Sequence, residues 1–182
     1  MDLSLPRIPK LPAVLALALL LLAGCGFHLR GALQLPADLG PLRVVARDAD
    51  SALVLGLRDA LRRAGAEVVD PDADAAADVA TLRVVSERWG ENPISIDQFG
   101  RAQEFNLRYA VIFRLQRADG TDLVPQQAIE LSRDYISVPT RSAGTEGERE
   151  ILQRELRREM LSAVLRRIDA VSRLPQVEGA TP

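Results

Sequence analysis

Six apolar residues of one parity, Phe105, Leu107, Tyr109, Val111, Phe113 and Leu115, alternate with Asn106, Arg108, Ala110, Ile112 and Arg114. A period of two fits a strand with one face buried and the other open, because successive side chains of a strand point to opposite sides. Such a strand needs neighbours and a cover. Asp119 and Gly120 give a tight-turn signal after it, and residues 128–138 read as a returning strand. Residues 79–86 alternate more loosely ahead of it, and residues 97–101, with Gly100, supply the turn between. The three runs make an antiparallel meander.

Upstream, residues 42–46 form a short apolar run after Pro41 and read as a strand. Asp50 stands where a cap is needed for a helix carrying Leu53, Val54, Leu57, Ala60, Leu61 and Ala64, and Gly65 stands where a left-handed residue ends it. Residues 66–69 read as a second strand, giving a β-α-β unit suited to parallel pairing. Residues 70–78 are acidic and Ala-rich and read as a loop. Near the C-terminus, Thr145 and Glu148 have the spacing of a capping box. Leu152, Leu156, Met160, Val164, Ile168 and Val171 then form one helical stripe, widened by Leu161 and Leu165, and Pro175 stops it. The expected fold is α/β in the α+β sense. It is a two-layer sandwich with two helices on one face of a mixed, mainly antiparallel four- to five-stranded sheet. This domain is expected over residues 25–174, with residues 175–182 a disordered tail. The opposite sheet face, with Asn106, Arg108, Ile112 and Arg114, is left open to solvent or a partner.

The N-terminus sets the compartment. Arg7 and Lys10 precede an apolar run at residues 12–22, too short to span a bilayer comfortably, which ends at Ala23-Gly24. Leu22-Ala23-Gly24-Cys25 resembles the box cut by the lipoprotein signal peptidase, which makes residues 1–24 a cleaved signal and Cys25 a lipidated first residue. Cys25 is the only cysteine, so it can form no internal disulfide, and lipid attachment gives an exported chain a reason to keep it. Each buried acyl methylene contributes roughly 0.8 kcal/mol, so several chains, palmitate among them, make a nearly permanent anchor. Gly26 rather than Asp follows Cys25, which favours the outer membrane over retention in the inner one.

Without residues 1–24 the chain keeps 21 basic and 24 acidic residues, so no bulk positive field points to nucleic acid. All of these basic residues are Arg; selection for phosphate binding and a GC-rich genome both account for that, the genome more simply. Catalysis needs an activated nucleophile, an acid/base pair or a metal. The one histidine, His28, lies three residues from the anchor, and no His/Cys cluster or Gly-rich phosphate loop is present. Asp70, Asp72 and Asp74 open like a calcium loop, but Ala75 and Thr81 stand where that loop needs Gly and Glu. Neither catalysis nor a metal or other cofactor is expected. Trp89, Asn92, Phe99 and Arg101 fall near the first meander turn, and Arg141 in the loop at residues 139–144. These residue types suit an amphipathic ligand, but taken alone they fit an ordinary hairpin tip packed against the sheet more simply.

The segment Gly24-Cys25-Gly26-Phe27-His28-Leu29-Arg30-Gly31 closely resembles the start of the LptE family, the lipopolysaccharide-assembly lipoproteins of Gram-negative bacteria. There an aromatic and His-Leu-Arg follow Gly-Cys-Gly, as Phe27, His28, Leu29 and Arg30 do here, and Pro36 fits as well. The family's element order also matches. Phe99-Gly100-Arg101 leading into Glu104-Phe105 is similar to its hairpin tip, although here Arg follows Gly instead of preceding it. The resemblance implies a lipid-anchored outer-membrane protein on the periplasmic side that plugs the barrel LptD one to one. It implies too that the chain assists that barrel's assembly and binds lipopolysaccharide. The basic residues nearest the family's binding positions are Arg101 and Arg141. An envelope-polymer-binding module or a barrel-assembly accessory is the alternative, and a lipid-anchored hydrolase a distant third.

Overall fold

The strand with the regular alternation forms as β4 (Ala102–Gln116), and its odd positions Leu107, Tyr109, Val111, Phe113 and Leu115 are buried. The computed structural model describes residues 35, 36, 39–70, 78–137 and 142–173, with 142–145 as backbone only. Residues 1–24, Cys25, Phe27, His28, Leu29, Arg30, Arg141, most of the acidic loop and the tail lie outside the described residues.

Around β4 the chain runs β1 (Leu42–Ala46), α1 (Ala52–Arg63), β2 (Val68–Val69) and β3 (Ala80–Ile96), and after it β5 (Asp122–Ile136) and α2 (Ser142–Ser172). The strands form one five-stranded mixed sheet in the order β2-β1-β3-β4-β5. β1 is parallel to β2 and β3, and the long β3/β4 and β4/β5 pairs are antiparallel. The two helices lie on one face, as the alternation requires. β1 reaches only as far as Val84 of β3, so beyond that point the outer edge of β3 has no strand beside it among the described residues.

Two bulges make β3 and β5 longer than their patterns suggest. Val84 pairs with Phe113 and Ser86 with Ile112, leaving Val85 as an extra residue. Before it Leu82 and Val84 face the core; after it the covered parity changes to Glu87 and Trp89, so the strand runs on where the alternation breaks. In β5 an extra residue falls between Val124 and Gln127, where Pro125 and Gln126 stand against Arg114 alone. Proline has no N–H for a ladder, and β5 is an edge strand that tolerates the gap.

The cap of α1 is Ser51, not Asp50: the Val54 N–H donates to Ser51 Oγ at 3.2 Å, while the Asp50 N–H donates to Asp48. At its other end Gly65 adopts φ +92°, and the N–H groups of Gly65 and Ala66 reach back to Arg62 and Leu61 at 3.0 Å. Those two bonds satisfy carbonyls the helix end would otherwise leave unpaired. α2 begins at Ser142, so Thr145 lies within it and the capping box does not mark its start; the expected loop at residues 139–144 is correspondingly shorter.

Leu156, Met160, Val164 and Ile168 of α2 are fully buried. At about 100° per residue, a four-residue step overshoots one turn by roughly 40°, so this apolar row winds around the helix. α2 can therefore pack on β4 and β5 and also on α1. A methyl group added at Gly56 would stand 3.3 Å from Leu161, so this glycine lets the two helices approach.

Met160→Ala is expected to destabilise the domain by about 2–5 kcal/mol, through lost burial and the cavity left behind. Ser51→Ala should cost about 1 kcal/mol through the lost cap. Urea unfolding followed by circular dichroism measures both, and a Met160→Ala loss below that of Ser51→Ala would contradict the packing.

Candidate functional site

β3 and β4 end in a hairpin tip built on Asp97. Asp97 N–H donates to Arg101 O at 2.8 Å and Gly100 N–H to Asp97 O at 3.0 Å, with Gly100 at φ +75°. The Asp97 carboxylate accepts the N–H groups of Phe99 and Arg101 at 2.8 and 2.9 Å, and Arg101 Nε at 2.8 Å. The backbone bond from Arg101 is the largest reason that Asp97 is held below the usual carboxylate range; the guanidinium and the Phe99 N–H act in the same direction. The Arg101 guanidinium lies 5.2 Å from the centre of the Phe99 ring. Its charge is thus shared between a carboxylate and a ring face, with much of the side chain still in solvent.

Phe99 is 71% exposed and Ile96 67%, and Ile94 and Ile136 are also exposed large apolar residues. Ile136 pairs with Glu104 and Ile96 with Ala102, so both belong to the tip end of the meander. A cation beside several exposed apolar groups suits a ligand or surface that is partly charged and partly apolar. Sequence reasoning singled out Phe99 and Arg101 but missed Ile94, Ile96 and Ile136. Their signal was present, as apolar residues on both flanks of a polar turn, but in alternating strands it is indistinguishable from core.

Trp89 is not at this tip. It lies within β3 opposite Tyr109, the rings stacked 3.9 Å apart, with the Arg157 guanidinium 5.6 Å from its ring. Tyr109 Oη donates to Glu87 at 2.6 Å, and burial followed by that bond pushes the phenol well above its usual range. Nearer the tip, Phe105 and Tyr135 stack at 5.6 Å, and burial with the neighbouring Glu91 pushes the Tyr135 phenol up to about 12. Arg149 and Arg133 tie α2 to the meander through Glu91 at 3.2 Å and Glu159 at 2.6 Å. These contacts hold the long strands under the helix and let the tip project. Asn92 pairs in register with Asn106 and so lies along the strand, away from the turn.

The uncovered face is as expected for Asn106, Arg108, Ile112 and Arg114. Asn106 donates to Asp134 at 2.6 Å, and Arg108 lies 3.7 Å from Glu130. A concavity of about 890 Å³ crosses this side, with Ala110, Ile112 and Ala128 among its lining and Arg47, Arg88 and Glu130 at its edges. Among the described residues no group of three or more His, Cys, Asp or Glu side chains could hold a metal ion. No described helix is long and apolar enough to cross a membrane.

A family profile described as LptE, Lipopolysaccharide-assembly, matches residues 39–168. A relative from Pectobacterium atrosepticum, named LPS-assembly lipoprotein LptE, is 31% identical over 169 residues, covering 91% of this chain and 88% of its own. One of the same name from Yersinia pestis (strain Pestoides F) is 32% identical over 158 residues, covering 87% and 74%. Among solved structures, a lipoprotein B from Nitrosomonas europaea superposes with a TM-score of 0.67 at 25% identity, covering 82% of this chain and 94% of its own. Profile, relatives and architecture agree over the same stretch of sequence: the chain belongs to the LptE lipopolysaccharide-assembly family and is not an enzyme.

Proposed function

We propose that this chain acts in lipopolysaccharide assembly as an outer-membrane lipoprotein that partners and plugs the LptD barrel. In this reading residues 1–24 are a cleaved signal, Cys25 carries the lipid on the periplasmic side, residues 25–174 form the working domain, and residues 175–182 are a tail. Phe27, His28, Leu29 and Arg30 lie directly after the anchor and link the domain to the membrane. The family name and the relatives' names support the lipopolysaccharide role.

The single observation that carries the reading is the projecting tip, where Phe99, Ile94, Ile96 and Ile136 are exposed and Arg101 is stacked on Phe99. Lipid A joins phosphates to acyl chains on a disaccharide, and guanidinium beside apolar side chains matches both parts. Arg101 is the first candidate contact. Arg141 lies outside the described residues and is the second. Because Asp97 already holds Arg101, an anion at this site would share the guanidinium with that carboxylate.

Native protein extracted in mild detergent is expected to bring down one large barrel protein in equal amount; recovery without any barrel would sink the plug reading. Cys25→Ala should lose labelling by radioactive palmitate and leave the membrane fraction. Arg101→Glu and Arg141→Glu should each weaken binding to purified lipopolysaccharide by about tenfold, the size of one lost charge-assisted contact. Equal binding by native and both variants would remove these two residues from the site.

A further inference from the structure

Arg83 of β3 and Arg114 of β4 are register partners on the uncovered face, so two guanidinium groups stand on adjacent strands at the same level. Directly opposed like charges weaken an antiparallel pair. Arg108 on the same face is neutralised: Glu130 lies within 3.7 Å of it, and its Nε donates to Asn106, which in turn donates to Asp134. Arg83 and Arg114 are not. Neither forms an ion pair or a hydrogen bond through its side chain among the described residues, and the Nε of each is shielded from solvent without a partner. Their same-face neighbours in register are Val45, Thr81, Ser86, Ile112 and Gln116, none of them acidic.

A third arginine is fastened beside this pair. Arg43 Nε donates to Thr81 Oγ1 at 2.9 Å, and Thr81 is the same-face residue two positions before Arg83. That bond uses one N–H and leaves the two terminal NH₂ groups of Arg43 available. Three guanidiniums on three neighbouring strands, β1, β3 and β4, therefore share a small area. A single carboxylate could bond one of them in fork geometry, whereas a phosphate monoester offers a charge near −2 and three oxygens, enough for all three. One step further along the same face, Ala110, Ile112 and Ala128 line the concavity and supply apolar ground.

We propose that Arg43, Arg83 and Arg114 form a phosphomonoester-binding site on the uncovered sheet face, and that its occupant is the phosphorylated headgroup of an acylated glycolipid. The site deepens the lipopolysaccharide-binding reading and rests on it. It is separate from the hairpin tip, so one ligand can be engaged at one place without the other.

The test uses the full chain in detergent micelles, native and as the double variant Arg83→Gln with Arg114→Gln. The probes are lipopolysaccharide, the same lipopolysaccharide with its lipid A phosphates removed, and inorganic phosphate. Because the double variant removes the opposed charges, its melting temperature should be unchanged or higher. It should bind intact lipopolysaccharide about ten- to a hundredfold more weakly than native protein, the loss expected for charge-assisted hydrogen bonds, and bind the dephosphorylated form equally. Millimolar phosphate should raise the melting temperature of native protein alone. If native protein binds lipopolysaccharide and the folded variant binds it as tightly, the cluster proposal fails while the broader reading stands. If native protein binds neither form of the glycolipid, both fail. If the variant keeps glycolipid binding and loses the co-purifying barrel protein, the face is a protein-docking surface and the proposal is overturned.

Discussion

Burial of one side of β4 is the constraint on which the other elements depend. Leu107, Tyr109, Val111, Phe113 and Leu115 cannot stay in water, and a single strand cannot hide them. β3 and β5 satisfy the backbone on either side, and α2 covers the apolar row, with α1 packed beside it over β1 and β2. Once the helices occupy that side, everything on the other parity of β4 faces outward. The division of the molecule into a core side and an open side is therefore set by a period-two pattern in one strand.

Much of this was legible in the sequence because β4 and α2 each repeat one period without interruption. The unread parts share a physical cause. A bulge shifts side-chain parity by one, so β3 beyond Val85 and β5 across Pro125 look irregular although they are continuous strands. For that reason Trp89 reads as close to a turn in the sequence, whereas it is stacked on Tyr109 within the sheet. Asp50 and Ser51 are equally good capping residues by type, and the position of the first helical turn against β1 decides between them. Thr145 and Glu148 have capping-box spacing inside a helix that starts three residues earlier, because spacing alone carries no information about where a helix begins.

The candidate contact surfaces were less legible. Phe99 and Arg101 stood out because they interrupt a turn, but their relation to Asp97 comes from hydrogen bonds that close the hairpin. The opposition of Arg83 and Arg114 depends on register, which the Val85 bulge offsets and which no local spacing reveals. The sequence contains both arginines in plain view, yet only the pairing of two strands makes them a problem of charge. The Cys25 motif is the reverse case, since the lipidation proposed for it depends on linear sequence and is recognisable without any fold.

The outer edge of β3, bare among the described residues beyond Val84, has a further consequence for how this chain meets other molecules. From Ser86 to Ile96 its backbone could accept another strand, which is how sheets fuse and aggregate. Glu87, Arg88, Glu91 and Pro93 line that stretch, and a bulge follows Pro93. Charge, a missing N–H and a broken register make the edge a poor template. The domain is thereby discouraged from zipping onto its own copies, and its encounters are left to side chains, which can discriminate, rather than to backbone, which cannot.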